Sequence, residues 1–332
     1  MQQNTVLTIL MATYNGAKYL QKQLDSIVKQ SYRHWELIIR DDESTDETLQ
    51  IIEAYCKKDP RIQLIQYGII HGSACRNFSQ LFDWAYAQDK SCICFADQDD
   101  IWLETKLERS YQAMVKQEQL WGLATPLLLY SNLRFIDAND QPIEVNLPLP
   151  STLTLPVLLN ENYAWGCTTM LNHAAIKKIR HILVDAVNHD YYIALVVAAF
   201  GKNILLDEFL ILYRQHENNV SGNVDKMSFS SRFNRYFSNT DSMFKPLLDN
   251  YRLVASFYSR YQHELPEQKR LMTGGFLKAY LRGFWPLLIT MLKYRIFKIG
   301  LGKNLMYVYT LALLGRKVAT QFQKGGKDEN TL

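Results

Sequence analysis

Three aspartates lie within four positions of the stretch FADQDDIW, residues 95–102. They are Asp97, Asp99 and Asp100, and they follow the apolar run CICFA, which is typical of a buried strand. Clustered carboxylates repel one another, so a fold that keeps them close needs a compensating interaction. Carboxylate oxygens suit a hard divalent cation such as Mg²⁺ or Mn²⁺, which often binds through one or two carboxylates and the phosphates of a substrate. Taken alone, the stretch is equally compatible with an acidic turn.

Two further polar segments follow predicted strands. The loop TYNG, residues 13–16, comes after the apolar run Val6–Ala12, and the acidic segment Asp41–Asp46 comes after Trp35–Arg40. The segments between these runs have apolar residues at helical spacing. Strands that alternate with helices predict an α/β fold with parallel βαβ units. Ligands of such sheets bind beyond the carboxyl ends of the strands. The remaining predicted strands are Ile62–Gln66, Ser91–Ala96, Leu127–Ile136 and Lys202–Leu206.

The ordered set of these segments resembles a known family. MATYNG (11–16), LIIRDDESTDET (37–48) and FADQDDIW, in this order and spacing, resemble the family 2 glycosyltransferases of the GT-A fold. More narrowly, they are similar to the bacterial rhamnosyltransferase-like members that build polysaccharides, O-antigens and capsules. Two later segments, WGCTTM (165–170) and YRQHENNV (213–220), extend the resemblance to roughly residues 5–222. It implies a GT-A-type, Rossmann-like, mostly parallel sheet flanked by helices, in a domain that we place at residues 1–225.

The resemblance also implies roles on the donor side of a nucleotide-sugar pocket. The residues implied to bind the donor are Thr13, Tyr14, Asn15, Asp42, Asp97 and Arg214. Asp42 would accept a hydrogen bond from the base, and Arg214 would contact the diphosphate. Asp99 would hold Mn²⁺ or Mg²⁺, supported by Asp97 and His216.

Asp190 is the implied general base, because His189-Asp190 matches the acidic motif of the family at the head of a predicted helix, Asn188–Phe200. Trp165, Gly166 and His189 are assigned to the acceptor side. The residues alone leave alternatives open. Asp190 also suits the first turn of a helix, Trp165 also suits the core, and Asp100 also suits the cap of a helix that starts at Ile101.

The expected activity is an inverting, divalent-metal-dependent transfer of a sugar to a hydroxyl of a lipid-linked oligosaccharide. L-Rhamnose from dTDP-rhamnose is the preferred donor, with UDP-galactose and UDP-N-acetylglucosamine as alternatives. A catalytically idle nucleotide- or carbohydrate-binding scaffold is the competing hypothesis. A nucleotidyltransferase is disfavoured, because the loop after the first strand is not rich in glycine. The processive QxxRW motif does not occur in the chain.

The C-terminal region, residues 226–332, is predicted to be helical, aromatic and basic. Between Lys269 and Lys327 the chain carries twelve Lys or Arg and no Asp or Glu, whereas the rest carries 25 basic and 33 acidic residues. This asymmetry indicates an anionic partner, and we expect a membrane surface. A helical subdomain with a solvated charged face is the alternative, and no nucleic-acid partner is expected. The expected location is the cytoplasm, peripheral on the inner face of the cell membrane.

Overall fold

A computed structural model describes residues 5–66, 72–145, 149–183, 188–217 and 240–328. The chain divides into two compact units. The first comprises Met1–Leu153 and Tyr163–Asp225, and the second comprises Thr154–Asn162 and Lys226–Leu332. The short segment Thr154–Asn162 joins the second unit partly because the Asn160 side chain donates to the carbonyl of Ile296 at 3.0 Å. The position of this segment in the sequence does not indicate that it packs with the C-terminal part of the chain.

The described residues form nine β-strands in one sheet. They are β1 (Leu7–Thr13), β2 (Trp35–Asp41), β3 (Ile62–Leu64), β4 (Cys92–Ala96), β5 (Ile101–Trp102), β6 (Leu127–Ile136), β7 (Pro142–Ile143), β8 (Thr169–Asn172) and β9 (Lys202–Arg214). The strand order is β3-β2-β1-β4-β8-β6-β9-β5, and β7 pairs with β6. The four strands from β3 to β4 are parallel, as are β6 and β9, whereas β8 runs antiparallel between β4 and β6. The predicted α/β class is confirmed.

Helices pack around this sheet in the first unit. They are α1 (Ala17–Val28), α2 (Thr48–Lys58), α3 (Ala74–Ala87), α4 (Lys106–Trp121), α6 (His173–Ile179) and α7 (His189–Phe200). The short helix α5 (Leu155–Leu158) lies between α4 and α6 in the chain but belongs to the second unit. The prediction of a helix that starts at Ile101 is wrong. Ile101 and Trp102 form strand β5 instead, because they pair with Leu212 and Ile211 of β9.

Burial on both faces explains why the central strands read as continuous apolar runs. Ile9 and Leu37 are paired on one face, and Leu10 and Ile38 are paired on the other, and none of the four has exposed surface. This is expected of a parallel sheet covered on both faces. The register aligns Thr13 with Asp41 and Met11 with Ala96. The loops that follow β1, β2 and β4 therefore leave the sheet at the same edge.

The second unit is helical, as predicted for the C-terminal region. Its longer helices are α8 (Thr240–Tyr261), α9 (Glu267–Arg282), α10 (Phe284–Tyr294) and α11 (Leu301–Asp328). Aromatic rings form part of its interior, with the centroids of Tyr251 and Tyr280 5.1 Å apart. Within the described part of the chain, no helix combines the length and the apolar character that crossing a bilayer requires.

Candidate active site

Gln98 joins the loop after β1 to the acidic loop after β4, which comprises residues 97–100. Its side-chain oxygen accepts from the backbone N–H of Tyr14 at 2.9 Å, and its amide donates to the carbonyl of Tyr14 at 3.0 Å. A Cβ atom on Gly16 would lie only 2.3 Å from that oxygen, so a larger residue would force the Gln98 side chain to shift. This role of Gln98 was not predicted from the sequence, because an uncharged residue between two aspartates carries no signal of its own.

Thr13 and Asn15 fix the same loop to the segment after β2. The Thr13 hydroxyl donates to Asp41 at 2.7 Å, while the Asn15 amide oxygen accepts from the backbone of Thr45 at 2.8 Å. Asn15 has a left-handed φ of 47°, a conformation that asparagine tolerates better than most residues. Tyr14 and Asn15 are exposed, whereas Thr13 is buried. Thr13 and Asn15 therefore hold the loop through their side chains, and the 55% exposed ring of Tyr14 is open to a ligand.

Asp42 lies buried at the end of β2. One carboxylate oxygen pairs with the Arg40 guanidinium at 3.3 Å, and the other accepts from the backbone of Gly72 at 2.8 Å. The structure thus places Asp42 at the expected edge of the sheet and holds its carboxylate in a fixed orientation.

The acidic loop separates into an inner and an outer part. In the inner part, ligand atoms of Asp97, Asp100 and Cys167 lie within 4.8 Å of one another. Burial, followed by the charges of Asp99 and Asp190, raises the pKa of Asp97 to about 7. Asp100 is fully buried and accepts from the backbone N–H of Arg214 at 3.1 Å, so it holds the loop in place. Cys167 belongs to a segment that the sequence singled out, but the proximity of its thiol to the carboxylates was not predictable from spacing.

Asp99 and His216 form the outer part of the loop. The His216 Nε2 atom lies 2.7 Å from a carboxylate oxygen of Asp99, and both side chains are partly exposed. The imidazole stacks on the ring of Tyr19, with centroids 5.0 Å apart and planes inclined by 28°. The structure therefore brings together two of the three residues assigned to the metal, and the third, Asp97, lies two positions away on the same loop.

Arg214 is buried against the acidic loop. The resemblance assigns it to the diphosphate, but its side chain is fully buried. Its Nε atom donates to the carbonyl of Asp99 at 2.8 Å, and its guanidinium pairs with Asp140 and covers the ring of Tyr19. The reason is that β9 continues to residue 214 and carries the arginine into the sheet. In this structure Arg214 positions Asp99.

Asp190 occupies the first turn of α7, where two backbone groups orient its carboxylate. One oxygen accepts from Gly166 at 3.0 Å, and the other accepts from Tyr191 at 2.6 Å. Burial raises the pKa of Asp190 to about 6, although these hydrogen bonds oppose the shift. Asp190 lies near enough to Asp97 for its charge to raise the pKa of that residue. The Asp190 carboxylate, at the start of α7, therefore lies beside the acidic loop.

The residues assigned to the acceptor side differ in accessibility. His189 is 9% exposed, and its ring stacks on Phe78 with centroids 4.1 Å apart. Trp165 is partly exposed, and its ring lies parallel to that of Tyr213 at 6.2 Å. A Cβ atom on Gly166 would meet the His189 ring at 2.6 Å. His189 and Gly166 therefore pack together and support Asp190, whereas Trp165 retains a surface that a sugar can contact.

His189 should make the stability of the protein depend on pH. Burial lowers its pKa to about 3, whereas the unfolded chain binds this proton near pH 6.5. Stability is therefore fully present above about pH 6.5 and is lost as the pH falls towards 3, with about 2 kcal/mol lost by about pH 5. Chemical denaturation at about pH 7.5 and about pH 5 measures this loss. Comparison with His189→Phe, which keeps a ring but does not titrate, cancels the contributions of other groups, and an equal loss in both proteins would contradict the expectation.

The acidic loop carries ligand types that suit a hard divalent cation. Among the described residues, the ligand atoms that lie within 4.8 Å of one another belong to Asp97, Asp100 and Cys167, a group that does not include Asp99 and His216. Asp97 and Asp99 offer carboxylate oxygens on a partly exposed loop, and His216 adds an imidazole nitrogen beside Asp99. Burial, and then repulsion from Asp99 and Asp190, raises the pKa of Asp97, and a cation would relieve the repulsion. One oxygen of Asp100 accepts from the backbone of Arg214. Because Asp100 is completely buried, it is less suited to share a cation with a substrate.

Comparisons with known proteins identify the family of the chain. The chain matches the family model "Glycosyl transferase family 2" over residues 8–180. It is 27% identical over 236 residues to the dTDP-rhamnosyl transferase RfbG of Shigella flexneri, covering 68% of this chain and 77% of that protein. It is 28% identical over 222 residues to the Escherichia coli UDP-Glc:alpha-D-GlcNAc-diphosphoundecaprenol beta-1,3-glucosyltransferase WfgD, covering 66% of this chain and 80% of that protein.

A solved structure supports the fold. The crystal structure of residues 1–349 of Staphylococcus aureus TarS, in complex with UDP-GlcNAc, matches 97% of this chain and 92% of that chain with a TM-score of 0.55 and 15% sequence identity. The family match covers more than half of the chain and includes the loops after β1, β2 and β4 together with Gly166. The protein is therefore a glycosyltransferase that belongs to glycosyl transferase family 2.

Proposed function

We propose that the chain transfers a sugar, with inversion of configuration, from a nucleoside diphosphate to a hydroxyl group of a lipid-linked glycan. The observation that carries this proposal is the convergence of three groups on one edge of the sheet. The Tyr14 loop is bonded to the acidic loop through Gln98, and Asp190 is close enough to influence the ionisation of Asp97. A donor site and a proton acceptor are thus adjacent.

The donor lies, in this proposal, between the Tyr14 loop and the acidic loop. Tyr14 offers an exposed ring to the nucleotide, and Asp42 offers a fixed acceptor for a base N–H. Asp99, Asp97 and His216 would hold Mn²⁺ or Mg²⁺ near the diphosphate. When bound, this cation supplies positive charge that stabilises the departing nucleoside diphosphate. Arg214 contributes indirectly, because it fixes the Asp99 backbone and packs on Tyr19.

Asp190 removes the proton from the acceptor. The acceptor oxygen forms a bond to the anomeric carbon while the bond from that carbon to the diphosphate oxygen breaks, and the hydroxyl proton passes to the Asp190 carboxylate. A general base works best when its pKa is near the working pH. The pKa of about 6 leaves Asp190 ionised at neutral pH and more basic than an exposed aspartate. Two backbone donors hold its orientation, so little reorganisation is needed.

The sugar and acceptor are assigned by similarity to named relatives. The Shigella relative is a dTDP-rhamnosyl transferase, which supports dTDP-rhamnose as the first donor to test. The name of the Escherichia coli relative specifies UDP-glucose as donor and GlcNAc-diphosphoundecaprenol as acceptor, which supports a polyprenyl-linked glycan as the acceptor class. Trp165 is suited to contact the acceptor ring, because its indole face is partly exposed near Gly166 and Asp190.

The test is a donor panel of dTDP-rhamnose, UDP-glucose, UDP-galactose and UDP-N-acetylglucosamine, each with Mn²⁺ or Mg²⁺. We expect one donor to raise the melting temperature in a metal-dependent manner, since a ligand stabilises the state that binds it. The same donor should release its nucleoside diphosphate faster than in the absence of protein. Binding without release, also when GlcNAc-diphosphoundecaprenol is supplied, would favour the idle scaffold. Failure of all four donors to bind would contradict the proposal.

A further inference from the structure

Helix α10 carries an exposed apolar stripe along one face. Trp285 is 69% exposed and Ile289 is 63% exposed, and Leu292 continues the same face. The spacings of four and three residues place these side chains on one side of the helix. Leu287 and Met291, on the opposite side, are buried in the second unit. The helix therefore has two apolar faces, and only one of them is covered.

Helix α11 repeats this arrangement. Leu301, Leu305 and Leu313 are exposed and are separated by multiples of four residues, so they form a second stripe. Tyr307 and Leu311 lie on the other side and are buried. Helices α10 and α11 contact each other, which places the two stripes on neighbouring elements. Exposed apolar side chains grouped in this way are typical of a binding surface.

Basic residues accompany the stripes. Lys293 follows Ile289 by four residues on α10, and Arg295 ends that helix, with both side chains exposed. The segment from Lys269 to Lys327 contains no Asp or Glu. The surface that presents the apolar side chains therefore belongs to a segment whose only charged side chains are positive, and it complements an anionic partner with an apolar interior.

We propose that the exposed stripes of α10 and α11 form a docking surface for an anionic phospholipid bilayer. The helices lie in the plane of the interface, with Trp285 and the leucines among the acyl chains and the basic side chains at the headgroups. Tryptophan favours this depth because its ring is apolar and its N–H remains near water. The inference deepens the proposed function, because a polyprenyl-linked acceptor is itself held in a membrane.

The apolar contribution is tested by flotation of the full chain with vesicles, in the absence of donor and acceptor. We expect binding to vesicles of phosphatidylcholine mixed with phosphatidylglycerol, and little binding to phosphatidylcholine alone. The double variant Trp285→Ser/Ile289→Ser should weaken binding by at least about tenfold, because it removes two inserted side chains. The matched control is Leu120→Ser/Leu123→Ser, since these leucines of the first unit are 68% and 75% exposed. The control should bind as the wild type does.

The electrostatic contribution has its own pair of variants. Lys293→Gln/Arg295→Gln should weaken binding to the anionic vesicles by about fivefold for each charge removed. Lys57→Gln/Lys58→Gln, which alters two exposed lysines of α2, should leave it unchanged. Binding of the wild type should also fall as salt is raised.

Three results would overturn the docking surface. The first is equal binding of the wild type to neutral and anionic vesicles, and the second is an equal loss of vesicle binding in the control and stripe variants. The third is a wild-type dimer that becomes a monomer in the stripe variant, while neither protein binds vesicles. The last result would assign the stripes to an interface between copies. Because the assay needs no donor, its failure leaves the proposed transfer reaction intact, and failure of the donor panel leaves the vesicle result intact.

Discussion

Replacement of Asp190 by asparagine is expected to lower the rate of sugar transfer by about a thousandfold while changing donor affinity little. A positioned general base contributes roughly 10²–10⁴-fold to a rate. Asparagine keeps the size of the side chain and can still accept from Gly166, but it cannot take the acceptor proton. Single-turnover transfer measures the loss, and calorimetric titration of donor with Mn²⁺ measures affinity.

Asp89→Asn provides the control for the Asp190 experiment. Asp89 is an exposed aspartate that pairs with Lys177 at the surface, so its substitution should leave both transfer and donor binding unchanged. Thermal unfolding of the Asp190 variant establishes that the fold is intact. A transfer rate within about threefold of the wild type would remove Asp190 from the role of base, since such a factor is below any general-base contribution.

Replacement of Asp99 by asparagine is expected to abolish the metal dependence of donor binding and to lower transfer by about 10²-fold or more. The substitution removes a charged oxygen that suits Mn²⁺ or Mg²⁺ and weakens the contact with His216. The backbone contact from Arg214 to residue 99 is retained, because the acceptor is the carbonyl. Donor titrations with and without Mn²⁺ are the measurement.

Asp100→Asn distinguishes the outer from the inner part of the acidic loop. Asp100 is buried and accepts a hydrogen bond from the backbone N–H of Arg214, and an asparagine oxygen can accept the same bond. The metal dependence of donor binding should therefore survive in this variant. If Asp100→Asn abolished metal dependence and Asp99→Asn did not, the cation would belong to the inner cluster of Asp97, Asp100 and Cys167.

Local patterns predicted most of the sheet. The strand Leu127–Ile136 has the expected bounds, and helix α7 begins one residue after the expected Asn188. Strand β9 is longer than the predicted Lys202–Leu206, because Asp207 and Glu208 interrupt its apolar run without ending the pairing with β6. Strand β8 has only four residues, and its insertion between β4 and β6 depends on long-range pairing that no local pattern reports.

The acidic residues could be named from the sequence, but the contacts between them could not. Spacing placed Asp97 and Asp99 beyond the carboxyl end of a strand, and the resemblance added Asp190 at the head of a helix; the roles of these residues stay predictions. The clamp from Gln98 to Tyr14 spans 84 positions, and the contact from Asp140 to Arg214 spans 74. Such contacts depend on the three-dimensional arrangement of the loops, which the local sequence does not specify. The sequence therefore identifies the acids and leaves open which side chains hold them.

The anomeric configuration of the transferred sugar tests the central claim most directly. The donor selected by the panel is incubated with Mn²⁺, GlcNAc-diphosphoundecaprenol and the wild-type protein, and the new linkage is read from the NMR coupling of its anomeric proton. Direct displacement with Asp190 as base requires a product whose anomeric configuration is opposite to that of the donor. A product with the configuration of the donor would contradict the single displacement and the role assigned to Asp190.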